Sequence, residues 1–274
     1  RAGRLPGAIL WCSAQVRNAH VLGGGTMNET IMPDRAASRR VLALGGRSEA
    51  GVEAFERLLA RHRKEFGTET DLEFEGDETA AIYVVLSGWL AISRSTEDGD
   101  RHIVDVVLPG EVFMPGSADR HTTSVAVETM TPVTCAVIPK KTWNDFLQDN
   151  PEFRDWMTDL TLSAYSRMTG RMLRLGKSKA EGRVAYALIE LGVRLCALEP
   201  GNCDEFHIPM TQQQLGDFTG LSAVHVCRTL GTLQHKGIVD SSDHMDIVVR
   251  DMRALCDVAR IDLDTLRAEI IPAP

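Results

Sequence analysis

With 274 residues, 43% hydrophobic and 25% charged, the chain can fill one large domain or two ordinary ones around a sizeable core. A net charge of −8 excludes a protein that coats nucleic acid indiscriminately and leaves room only for a local basic face. No apolar run approaches the ~20 residues of a membrane span, and the six cysteines (Cys12, Cys135, Cys196, Cys203, Cys227, Cys256) form no C-x-x-C pair, which points to a reduced cytoplasm and no metal site.

Residues 1–48 read as a leader outside the fold. The stretch 1–26 carries Arg1, Arg4 and Arg17 with no acid and has no hydrophobic period, so Met27 or Met32 reads as the natural start. From Ser48 to Phe66, Val52, Phe55, Leu58 and Leu59 recur at helical spacing and predict a first amphipathic helix.

Asp71 to Phe113 then alternates apolar and polar residues over short β-branched runs, with Gly76, Gly88, Gly99 and Gly110 every eleven or twelve residues. Further strands are expected in Thr122–Thr129 and Val133–Pro139. Regular short strands with such turns predict a double-sheet β-roll (jelly-roll) of about eight strands over 49–150.

Past Pro139 the period becomes helical. Met157, Leu160, Ala164, Met168, Met172 and Leu175 step by three or four along one seam, and 151–178 reads as a long helix with a hinge at Leu175–Gly182. Such a seam packs on the same helix of a second copy or on its own β-roll; the length of the helix favours the homodimer.

Residues 179–250 form a second unit. After a helix at Arg183–Leu198, Thr211 and Gln214 have the spacing of a capping box, Gly220 supplies a turn and Ser222 caps a second helix. Val226, Leu230 and Leu233 give that helix a buried side, and Gly216 is small where the two helices cross. This is a helix-turn-helix, whose second helix can lie in a DNA major groove. Residues 222–236 hold Arg228, Lys236, His225 and His235 and no carboxylate, although 177–250 has 7 Lys and Arg against 9 Asp and Glu. Two short strands about Asp240–His244 add a wing, and 251–274 reads as a helical extension. The expected DNA-contacting residues are Thr211, Gln212, Gln213, Ser222, Ala223, Val224, His225, Cys227 and Arg228.

A β-roll, a long helix and a C-terminal winged helix-turn-helix, with EGD (Glu75–Asp77), LSG (Leu86–Gly88), EDG (Glu97–Gly99), LPG (Leu108–Gly110) and GRVA (Gly182–Ala185) in order, resemble the CRP/FNR family of bacterial transcription regulators. The resemblance covers about Leu72 to Val249. It implies an α+β chain with a cyclic-nucleotide-binding-like roll, no enzymatic activity, and a homodimer on double-stranded DNA at an inverted repeat, with RNA polymerase as a partner if it activates.

The resemblance thins at the effector site. Members that respond to cyclic AMP carry Gly-Glu-Leu-Gly and then Arg-Ser; here those positions read Met114–Ser117 and Thr123-Ser124, with Thr169 on the long helix. Without the arginine no cation neutralises a buried phosphate, so cyclic AMP is disfavoured and the effector is left open. Oxygen-sensing members hold an iron–sulfur cluster with four cysteines, three of them clustered near the N-terminus; here only Cys12 stands there, with Cys135 in the roll, so the cluster is disfavoured. His102 and His121, considered as heme ligands, read as surface histidines. In the second helix Arg228 keeps a guanine-reading position, whereas Val224 stands where a glutamate reads cytosine, implying a different target sequence. A cupin-type enzyme would need an H-x-H that the chain lacks. The alternatives are a cyclic-nucleotide-responsive regulator with an altered pocket and, less favoured, a ligand-binding module whose helix-turn-helix contacts protein rather than DNA.

Overall fold

Ser48 caps the first helix, α1 (Glu49–Arg61), its hydroxyl accepting from the Gly51 N–H at 3.0 Å. The computed structural model describes residues 48–116, 122–198, 204–242 and 245–272; Cys12, Ser117, His121, Cys203 and nearly all of the expected leader lie outside them. The helix is shorter than its hydrophobic period suggests. His62 ends it, and Arg63–Phe66 instead forms strand β1, paired antiparallel with Val133–Ala136. Phe66 supplies an apolar side chain with helical spacing but is recruited by the sheet, where it packs against the roll interior.

The roll continues through β2 (Asp71–Glu73), β3 (Ala81–Ser87), β4 (Leu90–Ser95), β5 (Arg101–Val107), β6 (Val112–Phe113), β7 (Ala126–Thr129) and β8 (Val133–Pro139). The strands make two four-stranded sheets, in the orders β1-β8-β3-β6 and β2-β7-β4-β5. The expected strand at Thr122–Thr129 is confined to its second half: Thr122 makes an isolated bridge to Glu78, and the Thr123 hydroxyl bonds the Val125 backbone locally.

Gly76, Gly88, Gly99 and Gly110 all have positive φ, as the turn reading requires. Gly88 has a second constraint, because a Cβ there would overlap the Pro132 carbonyl oxygen.

Alternation along β3 and β8 sorts the core. Ile82, Val84, Leu86, Ala136 and Ile138 face an aromatic cluster of Phe55, Trp143, Phe146, Phe153 and Trp156. Tyr83, Val85, Val133 and Cys135 face the roll interior. Helix α2 (Lys140–Asp149) and the start of α3 (Glu152–Lys177) supply four of those aromatics. Phe55 meets Phe153 and Trp156 at centroid distances of 5.2 and 5.5 Å, geometry worth about 0.5–1.5 kcal/mol per pair beyond burial.

At 26 residues, α3 is the longest helix described, roughly 39 Å at 1.5 Å per residue. It ends where Ser178 turns extended, and α4 (Ala180–Leu198) begins two residues later, so the hinge is tighter than Leu175–Gly182. Then come β9 (Glu205–His207), α5 (Gln212–Thr219), α6 (Ala223–His235), β10 (Val239–Ser241), β11 (Asp246–Val249), α7 (Met252–Ala259) and α8 (Leu263–Ile270). The described residues belong to one compact unit, 33–274. One core cluster runs from Trp89, Ile103 and Leu108 of the roll into Leu188 and Leu191 of α4 and on to Leu215, Leu230 and Leu255.

Candidate nucleic-acid interface

The local chemistry of α5 and α6 fixes their geometry. The Thr211 hydroxyl accepts from the Gln214 N–H at 3.1 Å while the Gln214 side chain accepts from the Thr211 N–H at 2.8 Å, completing the capping box. Gly220 closes α5 in the left-handed region at φ 67°. A Cβ on Gly216 would overlap the Leu221 carbonyl oxygen, so the crossing of the two helices admits only glycine without displacement of backbone.

Ser222 caps α6 by accepting from the His225 N–H, and its hydroxyl also lies 2.9 Å from His225 Nδ1. The imidazole is thereby held at the mouth of the helix. Val226, Leu230 and Leu233 are buried, each stabilising by about 1.5–3 kcal/mol. The opposite face exposes Val224, His225, Cys227 and Arg228; Ala223 is half-buried at its edge.

On α5, Thr211 and Gln213 are exposed and Gln212 is half-buried, with the Gln213 amide donating to Asp217 at 2.7 Å. The nine side chains named from the motif thus lie in the cap and first turn of α5 and in the cap and first half of α6. The wing has three strands, in the order β10-β11-β9. β9 leaves no signal in the sequence: at three residues it has no readable alternation, and only pairing with β11 defines it.

The remaining expected residues separate. Of the effector set, Met114 is exposed, Thr123 is buried on its own loop, Ser124 donates to the Gly116 carbonyl and Thr169 to the Ser166 carbonyl. None lines the cavity of about 190 Å³ between the roll and α3, whose walls include Ile92, Val107, Phe113, Val125, Leu160 and Arg167. The seam along α3 divides as well. Met157 is buried in the aromatic cluster, Leu160 and Ala164 line that cavity, and Leu175 lies against Gly220. Met168 and Met172 are exposed, beside Leu162, Tyr165 and Leu173, which the seam reading omitted.

Hidden from the hydrophobic pattern is a buried ion cluster joining the roll, α3 and α4. Asp105 of β5 meets Arg167 at 3.1 Å and Arg171 at 2.9 Å. Arg194 of α4, with no exposed surface, donates to Glu111 at 2.6 Å and to the Val106 carbonyl at 2.7 Å, and lies 3.4 Å from Glu190. Burial alone would raise the Asp105 carboxyl, but Arg167, Arg171, Arg194 and the Val106 N–H outweigh it and hold it well below the carboxylate range. For Glu190 burial prevails over Arg171 and Arg194, and its pKa is raised.

Other contacts cross the same junction. Arg171 stacks over Phe218, 4.7 Å from the ring centroid. Arg183 donates to the carbonyls of Leu175, Ser178 and Gly220, tying helix end, hinge and turn together. His102, expected at the surface, is half-buried; burial, then Arg171, lowers its pKa. Burial pushes the Cys135 thiol up to about 12, so it is inert packing.

Comparison with known proteins agrees with this layout. Residues 63–150 match a cyclic nucleotide-binding domain and residues 182–258 a Crp-like helix-turn-helix domain. The nitrogen fixation regulation protein FixK of Bradyrhizobium diazoefficiens is 28% identical over 213 residues, 78% of this chain and 85% of that protein. The transcriptional activator protein FnrL of Cereibacter sphaeroides is 25% identical over 194 residues, 70% and 77% respectively. In fold, FixK2 from Bradyrhizobium japonicum superposes with a TM-score of 0.65 at 23% identity, covering 73% of this chain and 98% of that one. A β-roll followed by a helix-turn-helix defines a DNA-binding transcription regulator. This chain is one of the CRP/FNR family.

Proposed function

We propose that the chain works in the cytoplasm as a homodimer, placing two copies of α6 in successive major grooves of an inverted repeat. The observation that carries this is the face of Val224, His225, Cys227 and Arg228, exposed and free of carboxylates in an acidic protein. The exposed apolar strip of Leu162, Tyr165, Met168, Met172 and Leu173 on α3 supports the dimer, because such a patch on a soluble chain signals a contact. Two relatives carry activator names, FnrL and the transcriptional activatory protein AadR of Rhodopseudomonas palustris, which favours activation by this chain, with RNA polymerase as its partner.

The effector reading remains without cyclic AMP or an iron–sulfur cluster. The cavity wall is mostly apolar, and its Arg167 is already engaged by Asp105, which leaves that cation unavailable to a phosphate. This favours a small uncharged ligand or none. Competition binding of the full chain between a selected duplex and a random one, across a salt series, tests the reading. Equal affinity for both duplexes would reject sequence recognition, and no salt dependence would reject DNA contact altogether.

A further inference from the structure

A groove of about 670 Å³ separates α6 from the hinge and the end of α7. Its walls carry four cations, Lys177, Lys179, Arg228 and Arg260, together with His225. Of its two carboxylates, Glu181 is neutralised by Lys236 at 2.6 Å, which leaves Asp257. In a chain of net charge −8 this is a local reversal of sign. Three segments distant in sequence contribute to it, so it is not the by-product of one basic run.

Two of these side chains, His225 and Arg228, belong to the reader face of α6. Whatever enters the groove therefore lies beside the DNA that α6 reads. Arg260 adds a conformational argument. It occupies the left-handed region at φ 55°, closing α7, where glycine would be unstrained. A long cation held there at steric cost fits a side chain with work to do. It also lies beyond the helix-turn-helix match, which ends at residue 258.

We propose that this groove grips the phosphodiester backbone of the bound duplex, with Lys179 of the hinge and Arg260 of the C-terminal extension neutralising one phosphate each. These contacts carry no base information and set affinity and register. The C-terminal helices, which pack on α3 and α4, thereby present a cation to DNA as well as covering the core. The proposal rests on α6 being the DNA reader.

The test is anisotropy titration of the full chain with a selected and a random duplex between about 50 and 200 mM salt. The variants are Lys179→Gln and Arg260→Gly; both sites are exposed, and glycine accepts the positive φ, so the fold is kept. Each variant removes one phosphate contact from each protomer of the dimer, so it is expected to reduce the slope of log affinity against log salt by ~1.8, and the double variant by ~3.6, with the selected-to-random ratio unchanged. Arg260→Lys, which keeps the charge, should retain the wild-type slope. Wild-type binding with unaltered variant slopes overturns the groove alone, as does a fall in the selected-to-random ratio. A wild-type chain that binds no duplex overturns the reader assignment and the groove with it.

Discussion

Arg194 donates to the Glu111 carboxylate at 2.6 Å with both side chains removed from water, one on the first helix of the DNA-binding half and one in the roll. The pair makes the two halves a single packed body at this point. Removing one partner of such a pair leaves the other charged and buried, which costs about 3–5 kcal/mol. Arg194→Met should therefore lower unfolding stability by that order in urea titration. A loss below about 1 kcal/mol would show that the cluster contributes little to holding the halves together.

Asp105 makes the same junction sensitive to acid. Its folded pKa is depressed, so its contribution is present above the unfolded value of about 3.9 and is lost as pH falls towards the folded one. Wild type should exceed Asp105→Asn in melting temperature at pH 7, and the gap should narrow below about pH 4. Glu190 has the opposite sign: its raised pKa gives stability below about 4.3 that is lost as pH rises. Glu190→Gln should thus cost less at pH 7 than Asp105→Asn. Thermal melts of both variants across pH decide this, and a pH-independent gap for Asp105→Asn would contradict it.

Much of this architecture is legible in the sequence. The turn glycines at 76, 88, 99 and 110 announce the roll because only positive φ serves those turns. Thr211, Gln214, Gly220 and Ser222 announce the two-helix motif because each satisfies a specific helix terminus. Phe66 misled because one apolar residue fits both periods, and the partner strand decides. The ion cluster was illegible because its three segments, with Asp105 and Glu111, Arg167 and Arg171, and Glu190 and Arg194, lie far apart in sequence, and each pair looks like ordinary surface charge. The α3 seam was half legible: its period is correct, but the roll buries the Met157 end and leaves the Met172 end bare.

The bare end gives a direct test of assembly. Met168→Glu with Met172→Glu alters two exposed residues and should leave the fold intact. Sedimentation velocity should show wild type as a dimer and the double variant as a monomer, with DNA affinity falling in step. A dimeric variant would move the interface off this face.

Arg228 is exposed on the reader face, where a guanidinium can bond guanine O6 and N7 together. Arg228→Ala should cost roughly 1–3 kcal/mol of discrimination at one base position while weakening binding to random duplex far less. The same loss on every sequence would make it a backbone contact.

The central claim is that paired α6 helices read DNA sequence. Selection of bound duplexes from a random pool by the full chain, followed by sequencing, tests it most directly. The expected result is an enriched inverted repeat with half-site centres about 10–10.5 base pairs apart or a multiple of that. A bound pool indistinguishable from the starting pool would contradict it.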